Sequence, residues 1–153
     1  FSVFTLNSKT YIYEAAIDAT GLLIKWLKNI LKIESYAEMD RLAELAGTSG
    51  GICFDIDFNK GGKIYNLKLD TEKGNIIYGL YEAIAREINR YIAPNGIEVI
   101  KVYGGGSKSV ILRKILSDIT KCSVYGITTP EAACLGAAML ASGNLSQMSG
   151  EIC

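Results

Sequence analysis

Three consecutive glycines, Gly104, Gly105 and Gly106, follow the strand-like run 97–103 and precede a helical pattern with Ile111, Leu112, Ile115, Leu116 and Ile119 on one face. Glycine lets a backbone come close to a ligand and take positive φ, and a helix N-terminus offers free N–H donors at the positive end of its dipole. Such an arrangement can hold an anion, a phosphate above all, or a ribose. The spacing is neither the GxxxxGK(S/T) loop nor the GxGxxG fingerprint, and a purely structural turn is the other reading. Lys108 stands where it could reach a phosphate, although an exposed lysine on a first helical turn is more often simply solvated.

The rest of the composition excludes more chemistry than it offers. The chain has no histidine, so the usual general base, the usual triad member and the commonest zinc ligand are all missing. Cys53, Cys122, Cys134 and Cys153 are scattered with no CxxC pair, and read as reduced thiols of a cytoplasmic protein. Sixteen basic and sixteen acidic residues cancel, which leaves no field to draw the chain onto nucleic acid or an anionic membrane. No apolar run approaches the roughly 20 residues that span a bilayer.

With 153 residues, 49% of them hydrophobic and 21% charged, the chain is expected to form one folded domain over 1–143, with 144–153 as a tail. It starts at Phe1 without an initiator Met, which reads as an internal start.

The elements that must position the glycines are legible from pattern. Two strands, 1–6 and 11–17, flank the turn-forming Asn7-Ser8-Lys9 and read as a hairpin. Leu22, Leu23, Trp26, Leu27, Ile30 and Leu31 recur at helical spacing and predict a helix from about Ala19 to Ile33, with Trp26 in the core. Ser35 with Glu38 reads as a capping box opening a second helix that stops at Gly47. Strands 52–58 and 64–69 follow, about a Gly61-Gly62 turn, and can pair as a second hairpin. Asp70 or Thr71 can cap a long helix with Ile76, Ile77, Leu80, Ile84, Ile88 and Tyr91 in one stripe. After the glycines and their helix, a short strand at 122–125 and a helix from about Pro130 to Ala141 complete an α/β fold of mixed strand direction, with helices on the sheet faces.

The run 102–141, VYGGGSKSVILRKILSDITKCSVYGITTPEAACLGAAMLA, resembles the C-terminal signature of the FGGY carbohydrate kinases: a strand, a GG(G/A) loop, a helix with an (A/S)D pair, a short strand and an E-A…GAA helix. Upstream, the resemblance extends over Tyr13–Ile17 with Gly21 and Trp26-Leu27, over Ser49–Phe54, and over Lys73–Leu80. Two departures stand out. The segment 55–68 is short and polar where the family carries a longer loop, and Tyr103 stands where many members have Asp, so Tyr103 is given no catalytic or metal role.

The resemblance implies an actin-like, RNase H-like lobe that binds ATP or ADP, with Mg²⁺ bridging the phosphates during transfer of the γ-phosphoryl group to a sugar or polyol hydroxyl. It implies that Gly104, Gly105 and Gly106 contact the nucleotide, that Ser109 takes the place of an Asn near adenine, and that Lys108 stands beside the phosphates. The catalytic aspartate and the sugar site would belong to an N-terminal lobe outside these residues, so weak nucleotide binding without turnover is expected of the chain alone. A homodimer is among the expected partners. Asp118 and the loop 47–51 are expected to be structural, and Glu131 either stabilises its helix or lies near the nucleotide. A non-enzymatic actin-like nucleotide-binding or interaction module and a purely structural α/β domain are the competing readings.

Overall fold

The chain opens on an antiparallel hairpin of β1 (Ser2–Asn7) and β2 (Thr10–Glu14), with Val3 opposite Tyr13 and Phe4 opposite Ile12. This computed structural model describes residues 2–7, 10–17, 20–55, 62–127 and 132–142. Helices α1 (Thr20–Ile30) and α2 (Tyr36–Ala46) come next. Ser35 caps α2 by accepting from the Glu38 amide at 3.1 Å, and Gly47 ends it at φ 63°, a left-handed conformation that glycine takes without Cβ strain. The reciprocal half of the expected capping box gives way to an ion pair, because Glu38 binds Arg41 at 2.8 and 3.0 Å.

Strands β3 (Cys53–Asp55) and β4 (Lys63–Tyr65) pair antiparallel, and α3 (Lys73–Ile92) follows. The cap of α3 is Glu72, whose N–H donates to Asn75 Oδ1 at 3.1 Å, and neither Asp70 nor Thr71. The Thr71 hydroxyl is already engaged, accepting from the Lys68 amide at 2.9 Å to close the preceding turn. Beyond α3, β5 (Val99–Val102) and β6 (Ser123–Gly126) run parallel, joined by the crossover helix α4 (Val110–Thr120), and α5 (Ala132–Ala141) comes last. A parallel pair needs a crossover of that length, whereas each antiparallel pair closes over a short connection. The expected mixture of strand directions is present, distributed over three two-stranded pieces among the described residues. The tail expected at 144–153 lies outside the described residues.

The core is built around α3. Its Ile77, Leu80, Tyr81, Ile84 and Ala85 cluster with Met39 and Ala43 of α2, Ile111, Ile115 and Leu116 of α4, and Leu23 and Leu27 of α1. Each fully buried large apolar side chain contributes about 1.5–3 kcal/mol. The face of α1 is narrower than its sequence pattern suggests. Leu22, Trp26 and Ile30 form a column at i, i+4, i+8 that points outward, with Trp26 45% exposed, so Trp26 is not a core residue. The helix is rotated so that the adjacent Leu23 and Leu27 column meets the core instead. Among the described residues no helix is long and apolar enough to cross a membrane.

Candidate functional site

Strand β5 delivers the chain into a 3-10 turn, Gly104–Lys108, and Ser109 then opens α4 as its N-cap. The sequence suggested a direct passage from glycine loop to helix. The structure inserts this extra turn, held by Ser107 Oγ donating to the Gly104 carbonyl at 2.7 Å and by the Ser109 amide donating to the Gly106 carbonyl at 3.3 Å. Ser107 is 4% exposed, so the turn is anchored from beneath while Gly104 and Gly105 are exposed.

The glycines differ in why they are needed. Gly104 sits at φ 73°, where an L side chain is strained. A Cβ on Gly106 would rest in ordinary contact with Val102 Cγ1 at 3.6 Å and Leu112 Cδ2 at 3.8 Å. Gly105 has no positive φ, and a Cβ there would meet nothing within 4 Å. Neither backbone nor packing therefore demands glycine at 105, and its bareness leaves the outer surface of the turn open.

The underside of the turn is crowded. A Cβ on Gly126, at the end of β6, would lie 2.6 Å from the Ser107 carbonyl oxygen and 3.0 Å from Arg113 Nε. Arg113, one turn into α4, has its Nε buried without a hydrogen-bond partner.

Ser109 is held by the helix it opens. Its Oγ accepts from the Leu112 amide at 3.1 Å, the N-cap bond of α4. Tyr81, 2% exposed, donates to Asp40 Oδ1 on α2 at 2.8 Å. Burial pushes the Tyr81 phenol well up from the ordinary 10.0, donation to Asp40 and its negative charge push it further, and Ser109 pulls weakly the other way. Between the ordinary and the raised value the folded state binds more protons than the unfolded chain. This contribution to stability is complete below pH 10.0 and is lost as pH rises above it. Urea unfolding at alkaline pH is expected to show wild type losing stability more steeply than Tyr81→Phe, by up to about 1.4 kcal/mol per pH unit. Equal slopes would mean that Tyr81 ionises freely.

The other singled-out residues lie apart. Lys108 is exposed at the end of the turn, and Tyr103 is exposed just before it. Asp118 is exposed on α4, where after burial and Glu82 it helps raise the Tyr78 phenol on α3. Tyr91 is half-buried, and Glu131 lies outside the described residues. The loop 47–51 forms an internal turn before β3, with Thr48 Oγ1 accepting from the Gly50 amide at 3.2 Å and Asn75 Nδ2 donating to the Thr48 carbonyl at 3.0 Å. Sequence reasoning passed over Tyr81, Asp40, Gly126 and Arg113. The signal for Tyr81 was its place four residues after Ile77, on the buried side of α3; nothing local marks its partner Asp40, 41 positions away.

Residues 3–144 match the family model described as "FGGY family of carbohydrate kinases, C-terminal domain". The chain is 28% identical to glycerol kinase from Borrelia hermsii, over 88% of this chain and 31% of the relative, and 30% identical to glycerol kinase 2 from Saccharolobus solfataricus, over 89% and 31%. It thus spans about a third of the length of these relatives. Two solved structures share the fold: Plasmodium falciparum glycerol kinase with ADP, at TM-score 0.76 and 22% identity over 90% of this chain and 31% of that one, and xylulose kinase from Rhodospirillum rubrum, at TM-score 0.70 and 22% identity over 87% and 30%.

Proposed function

The chain belongs to the FGGY family of carbohydrate kinases, through its C-terminal domain, and from that premise we propose that the turn Gly104–Ser109 is its ATP and ADP site. The observation that carries this reading is Gly105: a glycine at an exposed position where the fold needs none, beside a helix N-terminus. Amides of the turn and the start of α4 suit phosphate oxygens, and Lys108 is free to approach them from solvent.

In the whole protein this lobe would hold ATP while its γ-phosphoryl group passes to a sugar or polyol hydroxyl, chemistry that depends on positioning and charge stabilisation. Among the described residues no group of three or more His, Cys, Asp or Glu could hold a metal ion. Mg²⁺ would reach this lobe on the nucleotide phosphates, since that ion is usually held by substrate phosphates with one or two carboxylates. The free thiols Cys53 and Cys122 accord with a reducing cytoplasm. The sugar and the groups that bind it belong to the rest of the kinase, and this chain alone is expected to show no sugar-dependent ATP consumption. Turnover by the purified chain would refute that assignment.

The test of the site is calorimetric titration of ADP with Mg²⁺ into wild type and Gly105→Asp. The substitution places a carboxylate on the open face without touching the fold, so affinity is expected to fall at least about tenfold while Tm stays unchanged. Wild-type affinity in the variant would remove the turn from consideration as the phosphate site.

A further inference from the structure

Arg113 is a charge without a counter-charge. Its stem packs against the end of β6, where a Cβ on Gly126 would lie 3.1 Å from Cδ and 3.0 Å from Nε. The Nε–H is buried with no acceptor, and among the described residues no carboxylate pairs with the half-buried guanidinium. Taking a cation partly out of water without a partner costs stability, and a group kept in that state is satisfied by an anion that arrives from outside.

The topology says where that anion would sit. Strands β5 and β6 run parallel, Val102 stands opposite Gly126 at their carboxyl ends, and Arg113 packs at that end against the same glycine as the Ser107 carbonyl of the turn. Ligands of α/β sheets bind outside the carboxyl ends of parallel strands. A helical side chain leans toward the start of its helix, so the Arg113 stem, one turn into α4, runs back toward the glycines. The surrounding charge has the same sign. The chain as a whole is neutral, yet residues 99–126 carry Lys101, Lys108, Arg113, Lys114 and Lys121 against the one acid Asp118. Lys108 is exposed and its charge is screened by solvent, whereas the partly buried Arg113 is screened less.

We propose that Arg113 is a positioning residue of the nucleotide site: its guanidinium, fixed at the carboxyl ends of β5 and β6, supplies the positive charge that draws the phosphates of ATP or ADP onto the open face of the turn Gly104–Lys108. The inference rests on the reading of the turn as a nucleotide site and deepens it. Arg113 acts across the turn by its charge, and Gly126 holds that charge in place.

Adenosine and ADP test it, because they share a base and ribose and differ in phosphate charge. Calorimetric titration of each, with Mg²⁺, into Arg113→Met is expected to show ADP weakened at least about tenfold and adenosine changed by less than about twofold. Arg113→Lys restores the charge and is expected to hold ADP within about threefold of wild type. Arg113→Gln removes the charge with a polar side chain and repeats the test should the methionine variant not fold. A packing defect would weaken both ligands alike, so equal losses, undiminished ADP affinity in a neutral variant, or a lysine variant as weak as the neutral ones each overturn the role of Arg113. Failure of wild type to bind either ligand overturns instead the turn as a nucleotide site, and the positioning role with it.

Discussion

Gly74→Ala is expected to lower the unfolding free energy by about 3 kcal/mol, although alanine is the better helix former by up to about 1 kcal/mol. A Cβ at Gly74 falls inside the contact distance of the Leu42 carbonyl oxygen and lies 2.9 Å from Ala46 Cβ and 3.1 Å from the Leu42 carbonyl carbon. These are main-chain and near-main-chain atoms of α2, which no rotamer change can move aside. α2 and α3 would have to separate, loosening Met39 and Ala43 against the apolar face of α3. Gly79→Ala meets Ile52 less severely, at 3.0 Å from its carbonyl oxygen and 3.1 Å from Cγ2, and a smaller loss is expected. Urea unfolding of both variants checks this. A stabilised Gly74→Ala would show that intrinsic propensity outweighs helix approach, and so that the two helices are not packed this closely.

Gly126→Ala is expected to damage stability and the site together, by about 2–3 kcal/mol in unfolding and by a loss of nucleotide affinity beyond what that destabilisation explains. Its Cβ would stand 2.6 Å from the Ser107 carbonyl oxygen and 3.1 Å from Arg113 Cδ. The arginine stem can bend away. The carbonyl belongs to the turn itself, so relief of the clash lifts Gly104–Lys108 off β6 and strains the Ser107 anchor to Gly104. The contrast with Gly105→Asp is diagnostic, since that change is expected to weaken ADP at constant Tm. Gly126→Ala with normal ADP affinity would mean that the support beneath the turn does not shape its outer surface.

The two glycines show how far pattern reading reaches. Gly104–Gly106 draw attention because they are consecutive and lie between a strand and a helix, a signal contained within about ten residues. Gly126 is solitary, and its importance comes from Ser107 and Arg113, against which the parallel β5–β6 pairing brings it. The caps divide along the same line. Ser35 and Gly47 are legible from local sequence, whereas the start of α3 shifts to Glu72 because the Thr71 hydroxyl has a competing bond to Lys68.

What the sequence determined by itself was the order and type of the elements, the left-handed stop at Gly47, the glycine turn before α4 and the family to which the chain belongs. Periodicity, caps and turn residues act over a few positions, so these features are written locally. Tertiary structure alone decided that Trp26 faces out while Leu23 and Leu27 face in, that Tyr81 of α3 binds Asp40 of α2, and that Gly74 and Gly126 are the points of closest approach. Each depends on which distant element covers a given face, and burial is set by the packing of whole elements, which no short window of sequence contains.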